Sequence, residues 1–217
     1  MRLPLTNYAP RELTFFTLVL LAGTALSVMA GLLWAGLILV LGLAFVLYFF
    51  RDPERLVTTN EAWLLAPADG RIVEVTSVNE DKYLKAEATK ISIFMSLFDV
   101  HVNRIPYSGR VEFMDYQNGR FLDARTDEAS LKNENYSIGL VTDSGGKYLV
   151  RQIAGLVARR IVCPVTIGDH LVQGQRFGMV KFGSRLEVFI PKTTDVRVRV
   201  KHGERVVAGL TVLAELI

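Results

Sequence analysis

Cysteine is almost absent from this chain. Its one thiol, Cys163, excludes an internal disulfide and cannot supply a thiolate metal cluster. It stands in Arg160-Ile-Val-Cys-Pro-Val165, an apolar strand-like stretch, so buried packing is its expected role. Histidine is scarce as well, with three residues at 101, 170 and 202 and no metal-ligand spacing among them. The net charge of +3 is small and argues neither for nucleic acid nor against anionic headgroups. One absence is local: no charged residue occurs from Leu13 to Phe50.

An apolar run of that length reads as membrane-embedded. As a single helix it would extend roughly 55 Å, against a hydrocarbon core of about 30 Å. Two short helices folded back through the Gly23 to Gly36 region fit better, either spanning or dipping into one leaflet. Arg2 and Arg11 precede the run, and Arg51 and Arg55 follow it. Basic residues at both ends suit a hairpin with both flanks cytoplasmic. A cleaved signal peptide would have a much shorter apolar region. Residues 1–50 are therefore expected to form a membrane-associated helical segment.

From residue 51 to 217 the character changes to that of a mainly β domain. Segments such as Gly70-Arg-Ile-Val-Glu-Val-Thr-Ser-Val78 and Thr89-Lys-Ile-Ser-Ile-Phe-Met95 are short and apolar or alternating, and glycine turns bound them. Leu122 to Glu134 is polar and reads as a loop or a short exposed helix. A weak repeat relates Gly168-Asp-His-Leu-Val-Gln-Gly174 to Gly203-Glu-Arg-Val-Val-Ala-Gly209. Such paired glycine turns resemble the hairpins of lipoyl-type barrel sandwiches. Ordinary turn chemistry would also account for them. No lysine stands at the tip of a Met-Lys-Met-like turn, which disfavours a swinging-arm carrier.

Three residue types with chemical potential stand out. Gly183-Ser184, between apolar strands, places a hydroxyl at a sharp break, where it could attack the carbonyl before it. His101 lies in Phe94-Met-Ser-Leu-Phe-Asp-Val-His-Val-Asn-Arg104. Alternation there would put Asp99, His101 and Asn103 on one side of a strand, and an imidazole can move a proton near neutrality. A hydrogen-bonded histidine in a half-buried strand is the plainer account. Asp69, in Pro67-Ala-Asp-Gly70, suits an ordinary turn, or the orientation of an imidazole that deprotonates a serine. His170 and His202 read as exposed turn residues. A lipid hydrolase is disfavoured because Ser184 lacks a Gly-x-Ser-x-Gly setting.

Taken together, Ala66-Pro-Ala-Asp-Gly70, Phe94 to Arg104 and Val180-Lys-Phe-Gly-Ser-Arg185 resemble, in order and spacing, the short bacterial and archaeal form of phosphatidylserine decarboxylase. The resemblance implies a proenzyme that cuts itself between Gly183 and Ser184. It would leave a large chain 1–183 and a small chain 184–217 that begins with a pyruvoyl group made from Ser184. That carbonyl would form a Schiff base with phosphatidylserine and release CO2, giving phosphatidylethanolamine without metal or pyridoxal phosphate. His101 would return a proton to carbon, and Asp69 would support cleavage. The implied partners are a membrane phospholipid and the two chains of one cut protein, compatible with a higher oligomer, and no nucleic acid. The implied place is the cell membrane, with the catalytic domain on the cytoplasmic side. Two departures from the longer form are visible: Arg104 stands where that form has a second histidine, and Phe182-Gly-Ser-Arg185 replaces Leu-Gly-Ser-Thr. Arg104 and Arg185 are candidate headgroup contacts, although Arg185 reads more simply as a solvent-facing strand residue. The alternative function is a non-enzymatic, membrane-tethered β-sandwich that binds a partner.

Overall fold

The computed structural model describes residues 4–156, 160–181 and 183–217. Arg2 and Phe182, both invoked above, lie outside these. The chain forms two compact units, Met1–Glu54 and Arg55–Ile217.

The first unit is a helical hairpin of α1 (Pro10–Met29) and α2 (Leu33–Phe49). Pro10 opens α1, where its missing N–H has no helical partner to lose. Gly31, at φ 72°, makes the turn between the helices. Small residues sit at the contact: a Cβ on Gly23 would lie 3.2 Å from Leu39, and one on Gly42 3.6 Å from Leu20. Such residues let helices approach closely where lipid removes any hydrophobic drive to pair. The open ends are tied by the Thr6 N–H to the Phe50 carbonyl at 2.9 Å. α1 buries none of its residues and is long and apolar enough to cross a bilayer.

The second unit is mainly antiparallel β-structure. Its first strands are β1 (Trp63–Leu65), β2 (Gly70–Glu80), β3 (Ala86–Met95), β4 (Val102–Arg104) and β5 (Gly109–Gln117). After the short helix α3 (Asp127–Lys132) come β6 (Asn135–Val141), β7 (Lys147–Ile153), β8 (Ile161–Val162), β9 (His170–Leu171) and β10 (Arg176–Val180). The chain ends with β11 (Ser184–Pro191), β12 (Val196–Val198), β13 (Arg205–Val206) and β14 (Val212–Leu216). The largest sheet runs β13-β2-β3-β11-β7-β6-β5-β9, and two three-stranded sheets, β1-β14-β12 and β4-β10-β8, accompany it. Period-two alternation sends Ile72, Ile91, Ile93, Val150, Leu186 and Val188 into one core.

The glycine repeat is a real structural repeat. Gly168 and Gly203 have φ of 97° and 83°, and Gly174 and Gly209 have 79° and 73°. The strands within the two segments, β9 and β13, form the two outer edges of the largest sheet. Leu171 pairs with Gly109 as Val206 pairs with Gly70. Register slips between Ile72 and Glu74 in one half and between Val111 and Phe113 in the other. The sheet is thus approximately two-fold, with its axis between β11 and β7 where Val188 faces Val150. These are the paired hairpins expected of a barrel sandwich.

One expectation changes. The 122–134 segment does hold a short helix, α3, with Leu131 and Lys132 exposed, but it is not fully exposed: Ala124, Ala129 and Asn133 are buried, so it lies down as a strap. Asn133 staples it down by donating to the Leu122 and Ala154 carbonyls at 2.9 and 2.7 Å.

Candidate active site

Ser184 opens β11, and its partners explain its burial. It faces Met95 of β3, while β7 takes up the pairing one residue later, at Arg185 opposite Ile153. Ser184 is 0% exposed, and its Oγ has no hydrogen-bond partner among the described residues. Such an orphan hydroxyl costs free energy on the order of 1–3 kcal/mol, so it calls for a reason. Before it, Gly183 is left-handed at φ 66°, a conformation that a side chain would strain. The Gly183 carbonyl lies against Gly155, where an added Cβ would fall 1.8 Å from its oxygen. A buried orphan hydroxyl, a left-handed glycine and a close-packed carbonyl therefore meet at one peptide bond.

His101 immediately precedes β4 and is 0% exposed. Val102 pairs with Met179, so His101 adjoins the end of β10, from which the chain runs on to Ser184. Its Nδ1 lies 2.9 Å from the Asp99 carbonyl. A carbonyl only accepts, so Nδ1 carries the hydrogen and the neutral ring keeps its lone pair on Nε2. The expected alternation of Asp99, His101 and Asn103 along a strand does not occur. Asp99 sits in a turn, where its carboxylate accepts from the Ser96 N–H at 2.8 Å and the Ser96 hydroxyl at 2.7 Å. Asn103 instead reaches the Ser184 neighbourhood, accepting from Gln152 Nε2 at 2.8 Å and donating to Met95 Sδ at 3.6 Å.

Asp69 is held by a two-pronged ion pair with Arg55, at 2.7 and 2.8 Å, and by the Ala208 N–H at 2.8 Å. Its described hydrogen bonds thus run to Arg55 and Ala208, not to the imidazole. Backbone bonds join the segment before Asp69 to the one after His101: the Arg104 N–H donates to the Pro67 carbonyl at 2.8 Å and the Leu65 N–H to that of Pro106 at 2.9 Å.

Neither arginine is exposed. Arg104 is 5% exposed and donates to the Gly174 carbonyl at 3.0 Å. Arg185 is 0% exposed, which corrects its reading as a solvent-facing residue. Its Nη2 donates to Glu74 and, at 2.8 Å, to Ser92 Oγ. Its Nε lies 2.9 Å from Glu187 Oε1, off the N–H axis. Burial raises the Glu74 pKa, but Lys90 and then Arg185 outweigh it and hold the carboxyl below its ordinary value of 4.5. Cys163 is no rival nucleophile, since burial pushes its thiol up to about 11. His170 and His202 are exposed. A cavity of about 520 Å³ at Thr142, Asp143, Ser144 and His170 lies at the β6–β7 turn, and Ser184 does not line it.

Gly155, Glu74, Glu187 and Gln152 escaped the sequence reading. Only Arg185 and Glu187, two apart on one strand, carried a signal in the form of paired opposite charges.

The sequence model of the phosphatidylserine decarboxylase family matches residues 43–214. Curated relatives agree along the chain's length. The phosphatidylserine decarboxylase proenzyme of Syntrophotalea carbinolica is 50% identical over 180 residues, covering 82% of this chain and 83% of that protein. Its counterpart in Carboxydothermus hydrogenoformans is 46% identical over 218 residues, covering 100% and 99%. Fold and site had defined a β-rich protein with a buried, unpartnered serine hydroxyl directly after a left-handed glycine. The chain belongs to the phosphatidylserine decarboxylase family.

Proposed function

We propose that this chain is a membrane-bound phosphatidylserine decarboxylase that first cuts itself between Gly183 and Ser184. The observation that carries this reading is the buried, unpartnered Ser184 Oγ directly after left-handed Gly183. In the cut, Ser184 Oγ bonds to the Gly183 carbonyl carbon and displaces the Ser184 nitrogen, turning the amide into an ester. Loss of the Ser184 α-proton then expels the Gly183 carboxylate and leaves dehydroalanine at 184. Its imine form takes up water and releases ammonia, and a pyruvoyl group remains at the head of 184–217.

The site suits that group: it arises where the hydroxyl already has room without a hydrogen bond, at a position fixed by β3 and β11. A pyruvoyl carbonyl condenses with an amine and takes up the electron pair left by departing CO2. The chain's own residues do the rest. His101, with its Nε2 lone pair, moves the proton needed in the reaction. Asp69 supports cleavage as a positioning residue, clamping the Pro67 to Gly70 turn through Arg55 and Ala208. Arg104 and Arg185, both buried, favour internal roles over headgroup contact. The apolar hairpin tethers the enzyme where its lipid substrate resides, with the β unit on the cytoplasmic side. Large and small chains remain together as a non-covalent pair.

The test is release of labelled CO2 from vesicles of carboxyl-labelled phosphatidylserine. Wild-type protein is expected to release it, Ser184→Ala to release none, and His101→Ala to fall by roughly 10²–10⁴-fold. Turnover by Ser184→Ala would refute the proposal.

A further inference from the structure

We infer that Arg185 is a positioning residue: it anchors the new end of the small chain and so fixes the carbonyl group that replaces Ser184. This rests on the proposed cut at Gly183–Ser184. Cutting removes the covalent tether on one side of residue 184. A chain end with few contacts frays. Strand pairing holds residue 184 on the β3 side, opposite Met95, whereas pairing with β7 begins only at Arg185. The position of 184 is therefore set largely through its neighbour.

That neighbour is gripped from several elements. The Arg185 guanidinium meets Glu74 of β2, Ser92 of β3, Glu187 of β11 and the Thr126 carbonyl of the strap at 3.4 Å. Lys90 lies 2.9 Å from Glu74, and Arg151 lies 3.8 Å from Glu187 and 3.9 Å from Glu80. Ser130 donates to both Glu187 oxygens, at 2.8 and 3.0 Å. Cations Arg185, Lys90 and Arg151 thus balance anions Glu74, Glu187 and Glu80. A buried ion network is a poor source of stability, but the planar guanidinium fork fixes direction well. Geometry is the better reason for placing a network here.

The two-fold repeat supplies an internal comparison. By the register about Val188 and Val150, Arg185 corresponds to Lys147 in the half that is not cut. Lys147 is 48% exposed and lies 3.5 Å from Glu112, itself 42% exposed. The half with no chain end to hold has a solvated lysine where the other has a buried arginine.

The experiment compares wild type with Arg185→Lys, which keeps charge but loses the fork, with Ser92→Ala, and with Lys147→Gln as the matched control. Three readouts are taken: the rate at which phenylhydrazine reacts with the small chain's keto group, followed by absorbance; the urea concentration that releases the small chain; and kcat and KM per keto group. For Arg185→Lys, a roughly tenfold or greater change in phenylhydrazine rate is expected, with release at lower urea and kcat reduced about tenfold at unchanged KM. Ser92→Ala should show smaller changes in the same directions, and Lys147→Gln should match wild type. Wild-type phenylhydrazine rates and kcat in both Arg185→Lys and Ser92→Ala would overturn the anchor, even if their melting temperatures fell. If Arg185→Lys does not fold, Ser92→Ala decides alone, and an unchanged value overturns the inference. An uncut wild-type chain would overturn the proposed cut and the anchor together, whereas a cut wild type with unaltered variants overturns the anchor only.

Discussion

A carbonyl carbon under attack becomes tetrahedral, and its oxygen needs room as it gains charge. At Gly183 that room exists because residue 155 has no side chain, for a methyl there would sit 1.8 Å from the oxygen. Gly155→Ala is therefore expected to slow self-cleavage by roughly a hundredfold, since misplacing reacting atoms by about 1 Å costs that much. Gly109→Ala is the comparison, with its Cβ 2.6 Å from the Val141 carbonyl in the other half of the sheet. It should lose about 1–3 kcal/mol of stability by overpacking yet still be cut. Time courses of chain cleavage on denaturing gels check both; prompt cleavage in Gly155→Ala would contradict the argument. The Gly183-Ser184 pair was legible because a glycine before a hydroxyl between apolar runs is a local pattern. Gly155 was not, because its constraint comes from Gly183, a residue distant in sequence.

At the level of elements, β11 is buried on both faces, with Leu186 and Val188 in the core and Arg185 and Glu187 on the opposite face. The strap and α3 close over that second face through Thr126 and Ser130. Glu74 gives the network a pH signature. Its carboxyl is held below its ordinary value when folded, so the stability it adds is complete above about pH 4.5. That stability is lost as pH falls through the still lower folded value. Thermal unfolding from pH 7 down to pH 3 should show a decline that Glu74→Gln flattens; an identical acid limb in the variant would count against the pairing. Strands β2 and β3 were readable from alternation and flanking glycines. The cover on the charged face was not, because a polar stretch such as Leu122 to Glu134 resembles a solvated loop until its anchor, Asn133, is seen to bond Ala154. Arg185 was consequently assigned to solvent. The turn at Asp99 was missed for a related reason, since its carboxylate caps Ser96 and breaks the alternation.

On the scale of the whole molecule, the apolar run pointed to a helical hairpin, whereas the weak glycine repeat, equally open to ordinary turn chemistry, did not by itself reveal the two-fold sheet. A charge-free stretch of that length suits a pair of apolar helices, and glycine spacing reflects backbone conformation directly. Because the β unit has its own core and its own clamp between Arg55 and Asp69, a chain lacking residues 1–54 is expected to fold and to cut itself. It should lose co-flotation with phosphatidylserine-containing vesicles, and undiminished flotation would contradict a tethering role for the hairpin. In the proposed reaction one peptide bond, Gly183–Ser184, is consumed to make the working group. Intact-mass measurement of the purified protein tests it most directly. A large chain ending at Gly183 is expected, with a small chain of residues 184–217 lighter than its serine-led form by the mass of ammonia. A single full-length mass in a preparation that decarboxylates phosphatidylserine would contradict it.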